Sequence, residues 1–208
     1  MSSKLVDALK RFNRKERFWL LSDALGKSLL SLDPDFLARV AKELGIKVPI
    51  DPWWAFDYHL DWLYAVLSFG PSYDLTDLRQ PRSNELKHVK GNQEDCDLLI
   101  AFDDTIILVE AKMGTSWSNK QMASKGRRLA SLPIDHVQAY LLLTSPSKTS
   151  KLTCSEWPTW ATKQGAQKSP YHIALTNGHI DSTALMVSRC DVSGKKDSKG
   201  GYWNAFTA

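Results

Sequence analysis

The order of apolar and polar residues predicts helices in the first third of the chain and strands in the middle. In residues 13–26, apolar side chains recur at helical spacing up to a glycine, which predicts an amphipathic helix. Residues 33–45 have clearer boundary signals, because Asp33 is a suitable N-cap, Pro34 suits the first helical position and Gly45 follows the last turn. We therefore expect two short helices in this part of the chain.

The same boundary signals recur further along the chain. Asp51 and Pro52 precede an aromatic-rich run and a Gly-Pro pair follows it, which predicts a third helix over residues 52–69. On that helix Asp57 and Asp61 would lie one turn apart, close to the edge of the apolar face. A carboxylate in such a position needs a partner or a metal ion, so both are candidates for a site. Solvated acids at the rim of the helix are the alternative interpretation.

From residue 95 the pattern changes to short apolar runs bounded by charged or turn-forming residues. We predict strands over residues 95–102 and 105–112 joined by an Asp-Asp turn, a helix over 118–132 and a strand over 136–144. We expect a surface excursion over residues 145–169 and two late strands over 171–176 and 184–190. The last residues of the chain are expected to pair at an edge of the sheet.

Size and composition narrow the class of protein. A chain of 208 residues with 43% apolar content can bury one sizeable core. No apolar run approaches the roughly 18 residues that a membrane span needs, and the N-terminus lacks the apolar region of a secretory signal. Three widely spaced cysteines without a CxxC pair argue against a disulfide framework and fit a reducing cytoplasm. A net charge of +4 permits contact with a polyanion without requiring it.

The segment from Asp97 to Lys112 contains the strongest chemical signal. If its two predicted strands pair as a hairpin, Asp97 meets Glu110 at the open end, and strand alternation puts Lys112 on the same face as Glu110. Two carboxylates with backbone carbonyls and waters suit Mg²⁺, and a nearby ammonium group stabilises negative charge. Such a set suits phosphodiester hydrolysis through a metal-activated water. Asp95 points the same way as Asp97 and is a rival ligand, and a solvated surface hairpin is the alternative interpretation.

This order of elements, in which Asp-x12-Glu-x-Lys spans two strands and a helix and a strand follow, resembles the PD-(D/E)XK nuclease superfamily over about residues 51–145. The resemblance implies an α/β fold with a mixed sheet and a restriction-endonuclease-like αβββαβ core. It further implies Mg²⁺ or Mn²⁺ held by Asp97 and Glu110, with Lys112 as the catalytic lysine. The proline that names the family is absent, and Cys96 precedes Asp97 in its place.

The resemblance also implies an organisation and a set of supporting residues. We expect the core to follow an N-terminal helical extension, residues 1–50, and to precede a C-terminal loop and strands, residues 146–208, packed on the same domain. The first core helix of the superfamily usually lends an acid to the site, which gives Asp57 or Asp61 a supporting role. Gln121 matches a polar position on the next helix that faces the site in many members.

The predicted helix after Lys112 has a basic side that would suit contacts with nucleic acid. Its cations are Lys120, Lys125, Arg127 and Arg128. Trp117 just before the helix could stack on a base. The alternatives are a solvated helix face and a tryptophan that covers the end of the sheet.

Two weaker features would also suit a polyanion. Residues 10–17 and the late glycine-rich loop at 195–199 are rich in lysine and arginine, although solubilising charge is the alternative. The chain has eight tryptophans, for which core and edge packing is the first interpretation and base stacking the second. Five of them lie in segments read as helix or loop: Trp19, Trp53, Trp54, Trp157 and Trp160.

The expected function is metal-dependent hydrolysis of nucleic acid, with DNA preferred to RNA as the substrate and no membrane partner. A catalytically inactive module on the same scaffold, which binds nucleic acid or a protein partner through the N-terminal helices, is the alternative. A homo-oligomer is compatible with either.

Overall fold

Helices flank both faces of a mixed β-sheet in the computed structural model of this chain, in agreement with the predicted α/β class. The chain divides into two compact units, Met1–Ala174 and Leu175–Ala208. The structure describes residues 3–26, 30–76, 78–91, 94–112, 117, 119–146, 152–165, 167–175 and 185–207.

The first unit contains all of the described α-helices and most of the strands. Its helices are α1 (Lys4–Phe12), α2 (Glu16–Leu25), α3 (Pro34–Leu44), α4 (Leu60–Leu67) and α5 (Asn119–Ala130). Its strands are β1 (Trp53–His59), β2 (Asp95–Phe102), β3 (Thr105–Ala111), β4 (Gln138–Ser145), β5 (Thr162–Lys163) and β6 (Ser169–Ala174). The second unit contains an antiparallel hairpin of β7 (Leu185–Cys190) and β8 (Tyr202–Thr207).

The sheet of the first unit has the strand order β1-β2-β3-β4-β6-β5. The strands β1, β2 and β3 form an antiparallel meander, whereas β4 runs parallel to β3 and β6 runs parallel to β4. A parallel connection needs a crossover, and α5 provides it between β3 and β4. The β2–β3 hairpin agrees with the sequence prediction, except that β3 ends one residue earlier, at Ala111.

The boundary residues of α3 act as predicted. The Asp33 side chain accepts a hydrogen bond of 2.9 Å from the backbone N–H of Phe36, and Pro34 is the first helical residue. Gly45 adopts the left-handed conformation that ends the helix, with φ of 68°. The predicted helix over residues 13–26 is found as the shorter α2, and α1 before it was not predicted as a separate helix.

The predicted helix over residues 52–69 is wrong in its first half. Trp53 to His59 form β1, which pairs along β2, and the helix begins only at Leu60. The aromatic side chains of this run favour a strand, and pairing with β2 satisfies its backbone groups. Asp57 lies in the middle of the strand with φ of 50°, where the regular ladder is interrupted.

The remaining predicted elements are present with shifted ends. The helix predicted over residues 118–132 is α5, and the strand predicted over 136–144 is β4. The two late strands are β6 and β7, and the last residues pair with β7 as β8. The excursion after β4 contains a short 3-10 turn, Thr159–Ala161, and the two-residue β5.

Apolar cores lie on the two faces of the sheet. On one face, residues of α1, α4 and α5 pack with Leu99, Ile106 and Leu108. On the other face, residues of α3 pack with Ile100 and Ile107. The side chains of β3 are buried on both faces of the sheet, in agreement with its continuous apolar run. Full burial of one such side chain stabilises the fold by about 1.5–3 kcal/mol. Within the described residues, no helix combines the length and apolar content needed to cross a membrane.

Candidate functional site

The two acids predicted to bind metal lie at the open end of the β2–β3 hairpin. The register pairs Leu98 with Val109, so Asp97 and Glu110 occupy the next position outward on neighbouring strands. Residues that face each other across an antiparallel pair have side chains close enough to interact. Asp97 is exposed, and its Oδ2 accepts a hydrogen bond of 2.6 Å from the backbone N–H of Ala111. The carboxylate of Asp97 is thereby held against the end of β3.

Glu110 is buried, with 6% of its surface exposed, and it forms an ion pair with Lys125 of α5. The Lys125 ammonium group also donates a hydrogen bond of 3.0 Å to the backbone carbonyl of Asp95. Burial raises the pKa of Glu110 from 4.5 to about 7, Lys125 opposes that rise, and the negative charge of Asp97 adds to it. Glu110 therefore titrates near neutral pH, and a second cation beside it would favour its ionised form.

Lys112 follows Glu110 by two residues but contacts a different group. Its backbone N–H donates a hydrogen bond of 2.9 Å to Thr144 on β4, which fixes the chain just past the end of β3. Its ammonium nitrogen lies 5.6 Å from the centre of the Trp117 ring, within the range of a cation–π contact. The site therefore has two lysines with different surroundings, Lys125 bonded to Glu110 and Lys112 against an aromatic face.

Sequence reasoning assigned Lys125 to a nucleic-acid surface, whereas the structure brings it to Glu110. The helical spacing contained a usable signal, because Lys125 lies three residues after Met122 and four before Leu129, and both are buried on the inner side of α5. A lysine on that stripe requires a buried acid as its partner.

Asp95, the rival of Asp97, already has side-chain partners within the protein. Its carboxylate lies 2.6 Å from Lys15 Nζ and 3.5 Å from His59 Nε2. Asp97 forms no ion pair with any residue in the described part of the chain. Of the two acids, Asp97 is therefore the one with a carboxylate available to a metal ion. Between them, burial raises the pKa of the Cys96 thiol, which keeps that group neutral.

Asp57 and Asp61 are not one turn apart on a helix, because Asp57 lies on β1 and Asp61 lies in the first turn of α4. The β1 residues on either side of Asp57 pair with the β2 residues on either side of Asp97, so the two acids lie opposite each other. The Asp57 carboxylate lies 3.3 Å from Arg17. Asp57 is thus close to the predicted site, although by strand pairing and not by helical spacing.

Asp61 has a structural role that sequence reasoning missed. Its carboxylate accepts hydrogen bonds from the backbone N–H groups of Lys90 and Gly91, the latter at 2.7 Å, and pairs with Arg128. The Arg128 side chain is 1% exposed and also donates to the backbone carbonyl of His88. The prediction that Arg128 contacts nucleic acid is therefore wrong, because its guanidinium group joins α4, α5 and the loop before β2 inside the protein.

The other predicted nucleic-acid contacts divide into three groups. Trp117 is 8% exposed and packs in the core with Met122, so the prediction that it stacks on a base is wrong. Arg127 is exposed as predicted, with its guanidinium group 4.0 Å from the carboxylate of an exposed glutamate. The side chain of Lys120 lies outside the described residues, as does that of Gln121, which was predicted to support the site.

The donor set fits a hard divalent cation. Among the residues that the structure describes, no three His, Cys, Asp or Glu side chains converge as a metal-binding group. Mg²⁺ does not require three, because it is commonly held by one or two carboxylates and retains several waters. Asp97 and Glu110 supply two carboxylates, and the ammonium group of Lys125 is bonded to the second of them. A cation bound between the carboxylates would favour the ionised form of Glu110.

Comparison with known proteins identifies no relatives. No family model, curated protein or solved structure matches this chain.

Proposed function

We propose that this protein is a metal-dependent nuclease that hydrolyses phosphodiester bonds of nucleic acid, with DNA as its preferred substrate. The observation that carries the proposal is the position of Asp97 and Glu110 at the open end of the β2–β3 hairpin, beside the ammonium group of Lys125. The order β1, β2, β3, α5, β4 supports a restriction-endonuclease-like core, in which α4 is an insertion between the first two strands.

The proposed chemistry assigns separate roles to the acids and the lysines. Asp97 and Glu110 would hold Mg²⁺ or Mn²⁺, which supplies an activated water and neutralises charge on the scissile phosphate when it is bound. Hydrogen bonding to Ala111 orients Asp97, and Lys125 orients Glu110. Lys112 is half-buried beside the Trp117 ring, and its ammonium group would stabilise the negative charge that develops on the phosphate.

Cleavage assays test the proposal directly. Labelled single-stranded, double-stranded and branched DNA and RNA are incubated with Mg²⁺, Mn²⁺ or a chelator. We expect cleavage of at least one substrate that requires the metal and is lost in Glu110→Ala. Lys112→Ala should reduce the rate by about 10²–10³-fold, as expected for removal of one charge-stabilising group.

Two substitutions serve as matched controls. Asp104→Asn replaces another acid of the same hairpin, at its turn, and Lys42→Ala replaces an exposed lysine of α3. Both should retain cleavage. Circular dichroism of every variant separates loss of activity from loss of the fold. Cleavage that persists in folded Glu110→Ala, or that does not need a metal, contradicts the proposal.

One observation favours the inactive module as a second candidate. Lys125 already neutralises Glu110, as expected if the acid is kept for structure and not for metal binding. This candidate predicts binding of nucleic acid in the presence of a chelator and no cleavage with either metal on any of the substrates above.

A further inference from the structure

A cavity of about 820 Å³ opens at the end of β2 that lies opposite Asp97. Aromatic side chains form part of its wall, where the ring of Phe18 packs edge-on against those of Trp19 and Trp54, with ring centres 6.0 and 5.5 Å apart. Trp19 is 53% exposed, so an aromatic face is open to solvent at this cavity.

The indole N–H groups of this wall are already used within the protein. Trp19 Nε1 donates a hydrogen bond of 3.2 Å to the backbone carbonyl of Asn13, and Trp54 Nε1 donates one of 2.9 Å to that of Leu30. These bonds fix the two ring planes, and the exposed part of the Trp19 ring remains open to a ligand. Such a wall suits a flat ligand that stacks and does not depend on hydrogen bonds from the indoles.

A strongly basic segment, residues 10–17, runs past the cavity. It contains five Lys or Arg residues and one Glu. Lys10 lines the cavity, and Arg11 and Arg14 are exposed. Neither arginine forms an ion pair with any residue in the described ranges. The segment therefore presents positive charge beside the aromatic wall, as required for a ligand that combines flat rings with anionic groups.

The same segment also reaches the candidate nuclease site. Lys15 pairs with Asp95, which lies two residues before Asp97 on β2. Arg17 pairs with Asp57, which lies opposite Asp97 on the neighbouring strand β1. Ala101 lines the cavity and lies four positions after Asp97 on β2, which corresponds to a distance of about 13 Å along the strand. The basic segment thus extends from the cavity, at Lys10, to the two acids that neighbour Asp97.

We propose that the aromatic cavity and the basic segment bind a single-stranded polynucleotide, with a base stacked at Trp19 and the backbone running along residues 10–17 towards Asp97. This proposal deepens the proposed function: the bound strand is the substrate only if the protein is the nuclease proposed above. Bases in a duplex have their faces covered by their neighbours, whereas an unpaired strand offers free faces and phosphates together. The observed pairing of open rings with exposed arginines therefore favours a single strand over a duplex.

Fluorescence anisotropy tests the proposal with the full chain. Labelled oligothymidylate, oligouridylate and a blunt DNA duplex of equal length are titrated with protein in a chelator, so that no cleavage occurs. We expect both single strands to bind more tightly than the duplex. Trp19→Ala should weaken binding of the single strands by about fivefold to hundredfold, and Trp19→Phe should restore most of it.

Salt dependence separates stacking from charge. Arg14→Ala should flatten the slope of log affinity against log salt by about 0.7 for a single strand, whereas Trp19→Ala should leave the slope unchanged. Trp203→Ala removes another exposed tryptophan, from the β7–β8 hairpin, and Lys42→Ala removes an exposed lysine from α3. Both controls should bind as the unchanged protein does.

The outcomes distinguish this proposal from the nuclease proposal. Equal affinity for duplex and single strands, or equal binding by Trp19→Ala and Trp203→Ala, overturns the single-strand surface even if the protein cleaves nucleic acid. Trp19-dependent binding of single strands without cleavage in Mg²⁺ or Mn²⁺ supports the surface and overturns the nuclease. Preference for oligothymidylate or for oligouridylate identifies the strand as DNA or RNA.

Discussion

Glu110 gives the protein a pH-dependent stability that a single substitution should remove. The pKa of Glu110 is raised by burial from 4.5 to about 7. Because the folded protein binds this proton more tightly than the unfolded chain, the associated stability is fully present below pH 4.5 and is lost as the pH rises through 7. The difference between the two pKa values corresponds to about 3 kcal/mol. The Glu110→Gln variant has no titrating group at this position, so its free energy of unfolding lacks this pH-dependent contribution.

Urea unfolding followed by tryptophan fluorescence measures the effect at several values between about pH 5 and 8, with a chelator present. The free energy of unfolding of the unchanged protein minus that of Glu110→Gln should fall by about 2–3 kcal/mol across this range. Glu156→Gln, at a side chain that is 70% exposed, controls for general effects of replacing a glutamate. A difference that stays flat or rises with pH refutes the conclusion that burial outweighs the pairing with Lys125 in setting the pKa of Glu110.

Three further predictions concern other contacts. Asp61→Ala leaves the buried Arg128 guanidinium group without its acid, so the free energy of unfolding should fall by about 3–5 kcal/mol, and a loss below 1 kcal/mol in urea titrations would contradict the buried pair. Tyr58→Phe removes the buried hydrogen bond of 3.0 Å to the Leu9 carbonyl and should cost about 1–3 kcal/mol by the same measurement, whereas an unchanged midpoint would show that this bond contributes nothing. Mn²⁺ should bind more tightly at pH 8 than at pH 6 in calorimetry, because the ligand is the ionised form of Glu110, and equal affinity at both values would exclude Glu110 as a ligand.

Local rules predicted those parts of the fold whose structure is decided by nearby residues. Asp33, Pro34 and Gly45 each act as the helix-boundary rules require. The same rules failed at Asp51 and Pro52, where identical signals precede a strand. The aromatic run that follows pairs with β2, which lies about 40 residues later in the chain, and this long-range pairing outweighs the local preference.

The candidate site was predictable where it depends on one hairpin and not where it depends on packing between distant elements. The spacing from Asp97 to Glu110 places the two acids together once the turn is known, and the register agrees. The partner of Glu110 comes from α5, and only the crossover between parallel strands brings Lys125 there. Local sequence places Arg128 on a solvent-facing helix side, because its partner, Asp61, lies far away in the sequence.

Binding of Mn²⁺, followed by electron paramagnetic resonance of the free ion, tests most directly whether Asp97 and Glu110 share one cation. We predict one Mn²⁺ bound per chain, lost in both Asp97→Asn and Glu110→Gln and retained in Asp104→Asn. Binding that survives either of the first two substitutions in a folded protein, or the absence of binding in the unchanged protein, would contradict the account.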